Sequence, residues 1–192
     1  MTTAITTRTT KGSALTFTEL DTNFDKLAVQ SLWVPVNAMR PSSTNGCALV
    51  TTIQTTALRP DLNVMDFDAS SDEFAQFSVQ WPNSWDKGTL TFKAYFTVTG
   101  TNTGTVAWGL AGLAVSDDDS INVAFPTSTV ATAKAHSGTS NDLNVTDESG
   151  TATVSGSPAN GDLTFFQVQR DVSADNQTGD ARLLGIQITF TI

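Results

Sequence analysis

Residues 89–99 (TLTFKAYFTVT) alternate without a break. Leu90, Phe92, Ala94, Phe96 and Val98 form one row, and Thr91, Lys93, Tyr95, Thr97 and Thr99 form the other. Side chains reverse direction at each residue of a strand, so this row can face a core only if the segment is extended. A helix would split the same five apolar residues between two opposite sides. The pattern returns in residues 73–81, where Ala75, Phe77, Val79 and Trp81 oppose Phe74, Gln76, Ser78 and Gln80. It returns again at the end of the chain, where Leu184, Ile186, Ile188, Phe190 and Ile192 oppose Gly185, Gln187, Thr189 and Thr191. Such rows require a sheet with a core on one side.

Other segments extend this reading. Residues 105–115 (TVAWGLAGLAV) are apolar on both faces and carry two glycines, as in a central strand covered on both sides. With residues 89–99 they read as a hairpin across a Thr/Asn/Gly turn. In residues 163–172, Thr164, Phe166, Val168 and Arg170 oppose Leu163, Phe165, Gln167 and Gln169, and both faces are partly covered. Shorter strands fit residues 31–36, 46–54, 63–67, 143–146 and 151–154, with Pro35 holding the first of these to an edge or a strand end. The expected fold is therefore mostly β: a jelly-roll-like β-sandwich of about eight to ten strands with one short N-terminal helix.

That helix is written in KGSALTFTELDTNFDKL, residues 11–27. Thr16 and Glu19 form the T-x-x-E capping box, in which each side chain satisfies a backbone N–H at the helix start. Phe17, Leu20, Phe24 and Leu27 follow at steps of three, four and three, a narrow seam of the a/d type. A helix this short is marginal in water, so the seam must pack on the chain's own body, a copy of itself or a host structure. The Thr-rich residues 1–12 before it are expected to be disordered alone, or ordered only against a neighbour. Residues 1–36 thus form an attachment and oligomerisation segment, and residues 37–192 the β-sandwich domain.

Composition excludes several classes of function. A net charge of −9 and a pI near 4.3 argue against a nucleic-acid partner and against docking on anionic lipid. A sixth of the residues are Thr, which is β-branched and polar and suits the solvent face of a strand. The single cysteine, Cys47, allows no intrachain disulfide and reads as a small buried residue. The single histidine, His136, lies in a Ser/Thr/Gly-rich stretch that reads as loop. No catalytic residue, metal ligand or cofactor is expected. Asp117, Asp118 and Asp119 read as a solvated turn, since three consecutive carboxylates do not converge on one cation. Asp66, Asp68, Asp72 and Glu73 show nothing that would order them as a glycosidase pair. Trp81 and Trp108 read as core, whereas Trp85, in a turn, and Tyr95, on an outward face, are the candidate glycan contacts.

The helix segment resembles the G-S-x-L-x-x-x-E-L-D-x-N-F-x-x-L signature of tailed-bacteriophage virion proteins. The matching positions are Gly12, Ser13, Leu15, Glu19, Leu20, Asp21, Asn23, Phe24 and Leu27. The stretches VPVNAMRP, RPDLNVMDFD, WGLAGLAVSDDDS and GDARLLGI are similar to a β-rich module of marine-phage structural proteins. The resemblance implies a virion exterior component made in the host cytoplasm. It would be a homo-oligomer, a trimer by preference, joined to other virion proteins through its helix and presenting its β domain to host surface glycan. A tail fibre or spike is the leading expectation. A capsid decoration or head-fibre protein is the alternative within that class, and a soluble carbohydrate-binding module the alternative outside it.

Overall fold

In the computed structural model, which describes residues 5–192, the alternating segments become the long strands of two sheets packed face to face. Among the described residues, eight strands run four residues or longer: β1 (Val29–Pro35), β2 (Thr51–Gln54), β3 (Asp61–Phe67), β4 (Glu73–Gln80), β5 (Thr91–Val98), β6 (Trp108–Val115), β7 (Leu163–Arg170) and β8 (Ala181–Thr191). The first sheet runs Asn144–Val145, β5, β8, β3, β2, with β1 on β8 beside β3. The second runs Val154–Ser155, β6, β7, β4, Arg40–Pro41, with Thr129–Val130 also on β6. The long strands pair antiparallel, and Val154–Ser155 runs parallel to β6. The protein is a mostly β double-sheet sandwich of the jelly-roll type.

The inward rows meet in one core. Phe92, Phe96, Phe67, Met65, Ile186 and Ile188 of the first sheet face Trp108, Leu110, Phe166 and Val168 of the second, all buried. Phe67 meets Trp108 edge-on at 5.0 Å, and Phe77 stacks on Phe166 at 5.1 Å. β6 is buried along its whole length, as its two apolar faces require. At the end of β7 the fully buried Arg170 pairs with Asp175, Nε to Oδ2 at 2.8 Å. It also donates to the carbonyls of Phe67, Gly179 and Gln177. A buried guanidinium is tolerable only with its donors satisfied, and here they fasten residues 171–180 to both sheets.

Three expectations need correction. Residues 89–99 and 105–115 do not form a hairpin: β5 lies in the first sheet and β6 in the second, so the chain crosses between sheets. Thr105–Val106 pairs instead with Lys134–Ala135, and His136 follows in the loop as expected, with its side chain buried. In β8 the alternation changes phase. Leu183 pairs with Phe96 and Gly185 with Tyr95, so Leu184 is the extra residue of a bulge. Before the bulge Ala181 and Leu183 point inward, and after it Ile186, Ile188 and Phe190 do. Leu184 is therefore only half-buried, and Ile192 is exposed.

The third correction concerns the division at residue 36. β1, expected in the attachment segment, pairs with β8 from Val29↔Thr191 to Pro35↔Gly185, and Val34 and Val36 enter the core. Pro35 ends this strand at the sheet edge, where its missing N–H costs no ladder bond. The sandwich thus begins near residue 29, directly after the helices α1 (Arg8–Lys11) and α2 (Phe17–Ala28).

Candidate functional site

Two surfaces emerge, the α2 seam and the outer face of the first sheet. The seam begins at the capping box. Thr16 Oγ1 accepts the Glu19 N–H at 3.2 Å, and the Glu19 carboxylate accepts the Thr16 N–H at 2.7 Å. Lys11 also pairs with Glu19. The Lys11 ammonium, with the Thr16 backbone and hydroxyl bonds, pulls the Glu19 carboxyl from 4.5 down to about 2. Before the helix, Thr6 and Asn23 exchange two hydrogen bonds, at 2.9 and 2.8 Å. Of the stretch expected to be disordered alone or ordered only against a neighbour, Thr6 is held by α2 of the same chain. The part of that expectation covering residues 1–4 lies outside the described residues.

Asn23 is the one residue of α2 that is buried. The seam is not: Phe17 is 90% exposed, Phe24 60%, Leu27 52% and Leu20 40%. The sandwich does not use the helix as a lid. It closes its own core and leaves four apolar side chains in water on a helix whose end is joined to the sheet. The Ile192 N–H donates to the Ala28 carbonyl at 2.8 Å, so α2 is fixed to the last residue of the chain.

The candidate glycan contacts fare differently. Trp85, expected in an exposed turn, is 3% exposed and offers no face to a ligand. The turn after Pro82 folds back, with the Trp85 N–H on the Pro82 carbonyl at 2.9 Å and the Asp86 N–H on Thr191 at 3.1 Å. This drives the indole against Trp81 at 4.7 Å, inside a cluster completed by Phe190 and Phe166. Tyr95 is half-buried on the outward face, and its hydroxyl donates to Gln187 Oε1 at 3.3 Å.

Beside Tyr95 stands an aromatic ring that the sequence reading passed over. Trp33, on β1, is 48% exposed and meets Tyr95 edge-on at 5.0 Å. Its ring atoms Cη2 and Cζ2 fill the space over Gly185, where a Cβ would lie 2.5 Å from both. Glycine at that strand position makes room for the indole. The signal for Trp33 was present, since Leu32, Val34 and Val36 alternate inward and leave Trp33 outward. At the far side of the same face Lys93 pairs with Glu148 at 3.2 Å. Partial burial raises the Glu148 carboxyl, but bonds from Thr91, Lys93 and Thr189 outweigh this and hold it below its usual range.

The acidic residues are placed for structure. Asp72 accepts the Val172 N–H at 2.9 Å, Glu73 accepts the Asp68 N–H at 2.8 Å, and Asp66 lies 3.3 Å from Arg182. Burial raises both Asp66 and Glu73. Asp117, Asp118 and Asp119 form an exposed turn, in which the Asp119 N–H returns to Ser116 at 3.2 Å. Among the described residues no group of three His, Cys, Asp or Glu side chains could hold a metal. Cys47 is buried, and burial, with the Glu73 and Asp66 charges adding, pushes its thiol up to about 12.

No protein-family model matches the chain, and no curated protein matches it. Solved structures match in outline. A family 35 carbohydrate-binding module from Clostridium thermocellum is 8% identical over 83% of this chain and 97% of its own, with a TM-score of 0.48. The carbohydrate-binding module CBM35 from Cellvibrio japonicus Abf62 is 7% identical over 84% and 97%, with a TM-score of 0.45. The CBM36-1 domain of a multidomain xylanase from the hindgut metagenome of Trinervitermes trinervoides is 12% identical over 83% and 96%, with a TM-score of 0.43. At these scores the likenesses assign no function.

Proposed function

We propose that this chain is a non-catalytic, self-assembling virion surface protein. Its α2 seam joins copies to one another, and its β-sandwich is the exposed head that meets the host surface. The observation that carries the self-assembly is the exposure of Phe17, Leu20, Phe24 and Leu27 on a capped helix beside a core already closed, while the virion setting rests on the resemblance of residues 12–27 to phage virion proteins. Full burial of an apolar side chain from water is worth about 1.5–3 kcal/mol, and covering what each of these four exposes favours association against its entropic cost. The a/d spacing matches the knobs-into-holes packing of parallel helices, and the proposed assembly is a trimer. Joining heads also lets weak single contacts act together.

The test is the mass of the particle in solution. Light scattering on the intact chain is expected to give three chains per particle, and the double variant Leu20→Asp/Phe24→Asp a single chain with an unchanged β spectrum. An intact chain that stays single at 100 µM (about ten times a typical working concentration) overturns the reading. An antibody against the head, imaged on phage particles, then separates the mounting sites: label on the tail favours a fibre or spike, and label on the shell favours a decoration or head-fibre protein.

A further inference from the structure

The strand register turns the outer face of the first sheet into a grid. Pro35, Gly185 and Tyr95 lie in one row across β1, β8 and β5. Trp33, Gln187 and Lys93 lie in the next, and Ser31, Thr189 and Thr91 in the third. Strands stand about 4.8 Å apart and alternate residues about 7 Å apart along each strand, so the grid from Trp33 to Lys93 spans roughly 10 Å. At one edge is a half-exposed indole held over Gly185 and braced by Tyr95. In the middle are the Gln187 amide and the Tyr95 hydroxyl, already bonded to each other. At the other edge the Lys93 charge is matched by Glu148.

The geometry points to this face as a binding site for an uncharged oligosaccharide, with one pyranose ring stacked on Trp33 and its neighbour's hydroxyls bonded to Gln187 and the Lys93–Glu148 pair. A sugar ring has an apolar C–H face and a rim of hydroxyls. The grid offers an aromatic face and, one strand spacing away, an amide, an ammonium and a carboxylate. The matched charges favour a neutral ligand over a phosphate-bearing one. One exposed ring amid hydroxyls, with Val29 exposed one row further along β1, is also too little apolar surface for a protein partner, which needs about 800 Å² a side. This deepens the proposed contact with host surface glycan and rests on that reading only for where the sugar is met.

Acrylamide quenching singles out Trp33 in solution, because Trp81, Trp85 and Trp108 are buried. The intact chain is titrated with neutral tetrasaccharides of glucose, mannose, galactose and xylose, following tryptophan emission and acrylamide quenching. At least one is expected to shift the emission, shield Trp33 from the quencher and bind in the millimolar range or tighter. Trp33→Ala is expected to weaken binding more than tenfold, and Gln187→Ala several-fold. Trp33→Phe, which keeps a ring on the face, is expected to retain most of it, so loss of the fold is told apart from loss of the platform. No binding by any of the four at 10 mM overturns the site, as does binding unchanged in Trp33→Ala. Shielding that rises with protein concentration and without sugar also overturns it, since a second copy then covers Trp33. Leu20→Asp/Phe24→Asp is expected to bind the tetrasaccharide equally well per chain, so failed assembly and failed sugar binding are separate outcomes.

Discussion

α2 and β8 carry the same kind of message in sequence and meet opposite fates. Each shows a regular apolar row, Phe17, Leu20, Phe24 and Leu27 on the helix, and Ile186, Ile188 and Phe190 on the strand. On β8 the row is buried at the centre of the first sheet, between β5 on one side and β3 and β1 on the other. On α2 it stands in water. An apolar row states that a face needs cover. Whether the cover comes from within the chain or from another chain depends on how many other rows the fold must satisfy. Here two sheets satisfy each other, and the helix is left over.

The largest expected effect lies on the sandwich side of this contrast. Arg170→Met leaves the Asp175 carboxylate buried without its ion-pair partner and takes one donor from each of three carbonyls. Urea unfolding is expected to show a loss of about 3–5 kcal/mol, with the seam's association unchanged in whatever remains folded. Equal truncations then test the contrast directly. Ile188→Ala is expected to cost the sandwich about 2–5 kcal/mol, because the cavity it leaves is closed on all sides. Leu20→Ala, under conditions where the chain is single, is expected to stay within about 0.5 kcal/mol in the same unfolding curve. A cost for Leu20→Ala as large as that for Ile188→Ala would break the comparison, since it would make the helix part of the core.

The smallest effect is one of pH and confines itself to α2. Glu19 titrates near 2 in the fold and near 4.5 when its partners are absent. Its folded value is depressed, so its contribution to the helix is complete above 4.5 and is lost as the pH falls towards 2. The amide protection factor, exchange corrected for the intrinsic rate at each pH, is expected to fall across residues 17–28 over that window while protection in β5 and β8 changes less. Glu19→Gln is expected to flatten the α2 response.

Much of the sandwich was legible because its signals are local. The row from Leu90 to Val98 is buried as the alternation requires, and so are Ala75, Phe77 and Trp81. The Thr16–Glu19 capping box forms as its spacing requires. The misreadings share one cause. Trp85 lies beside turn residues, and its burial depends on Thr191, which lies more than a hundred positions away, receiving the Asp86 N–H. The inward row of β8 depends on a bulge that adds one residue against β5, which no alternation within β8 announces. Trp33 was placed outward by its neighbours, but its partners Tyr95, Gly185 and Gln187 come from two other strands.

What the amino-acid sequence determined by itself is therefore which side chains share a face within an unbroken strand and the chemistry of the helix cap. Side-chain reversal in a strand and the orphan N–H groups at a helix start are properties of a few consecutive residues. What only the tertiary structure decided is who meets whom: the crossing of β5 and β6 into different sheets, the phase change in β8, the burial of Trp85, the grid around Trp33 and the seam left in water. Each depends on strands brought together from distant parts of the chain, where pairing is set by the packing of the whole core rather than by any one stretch of it.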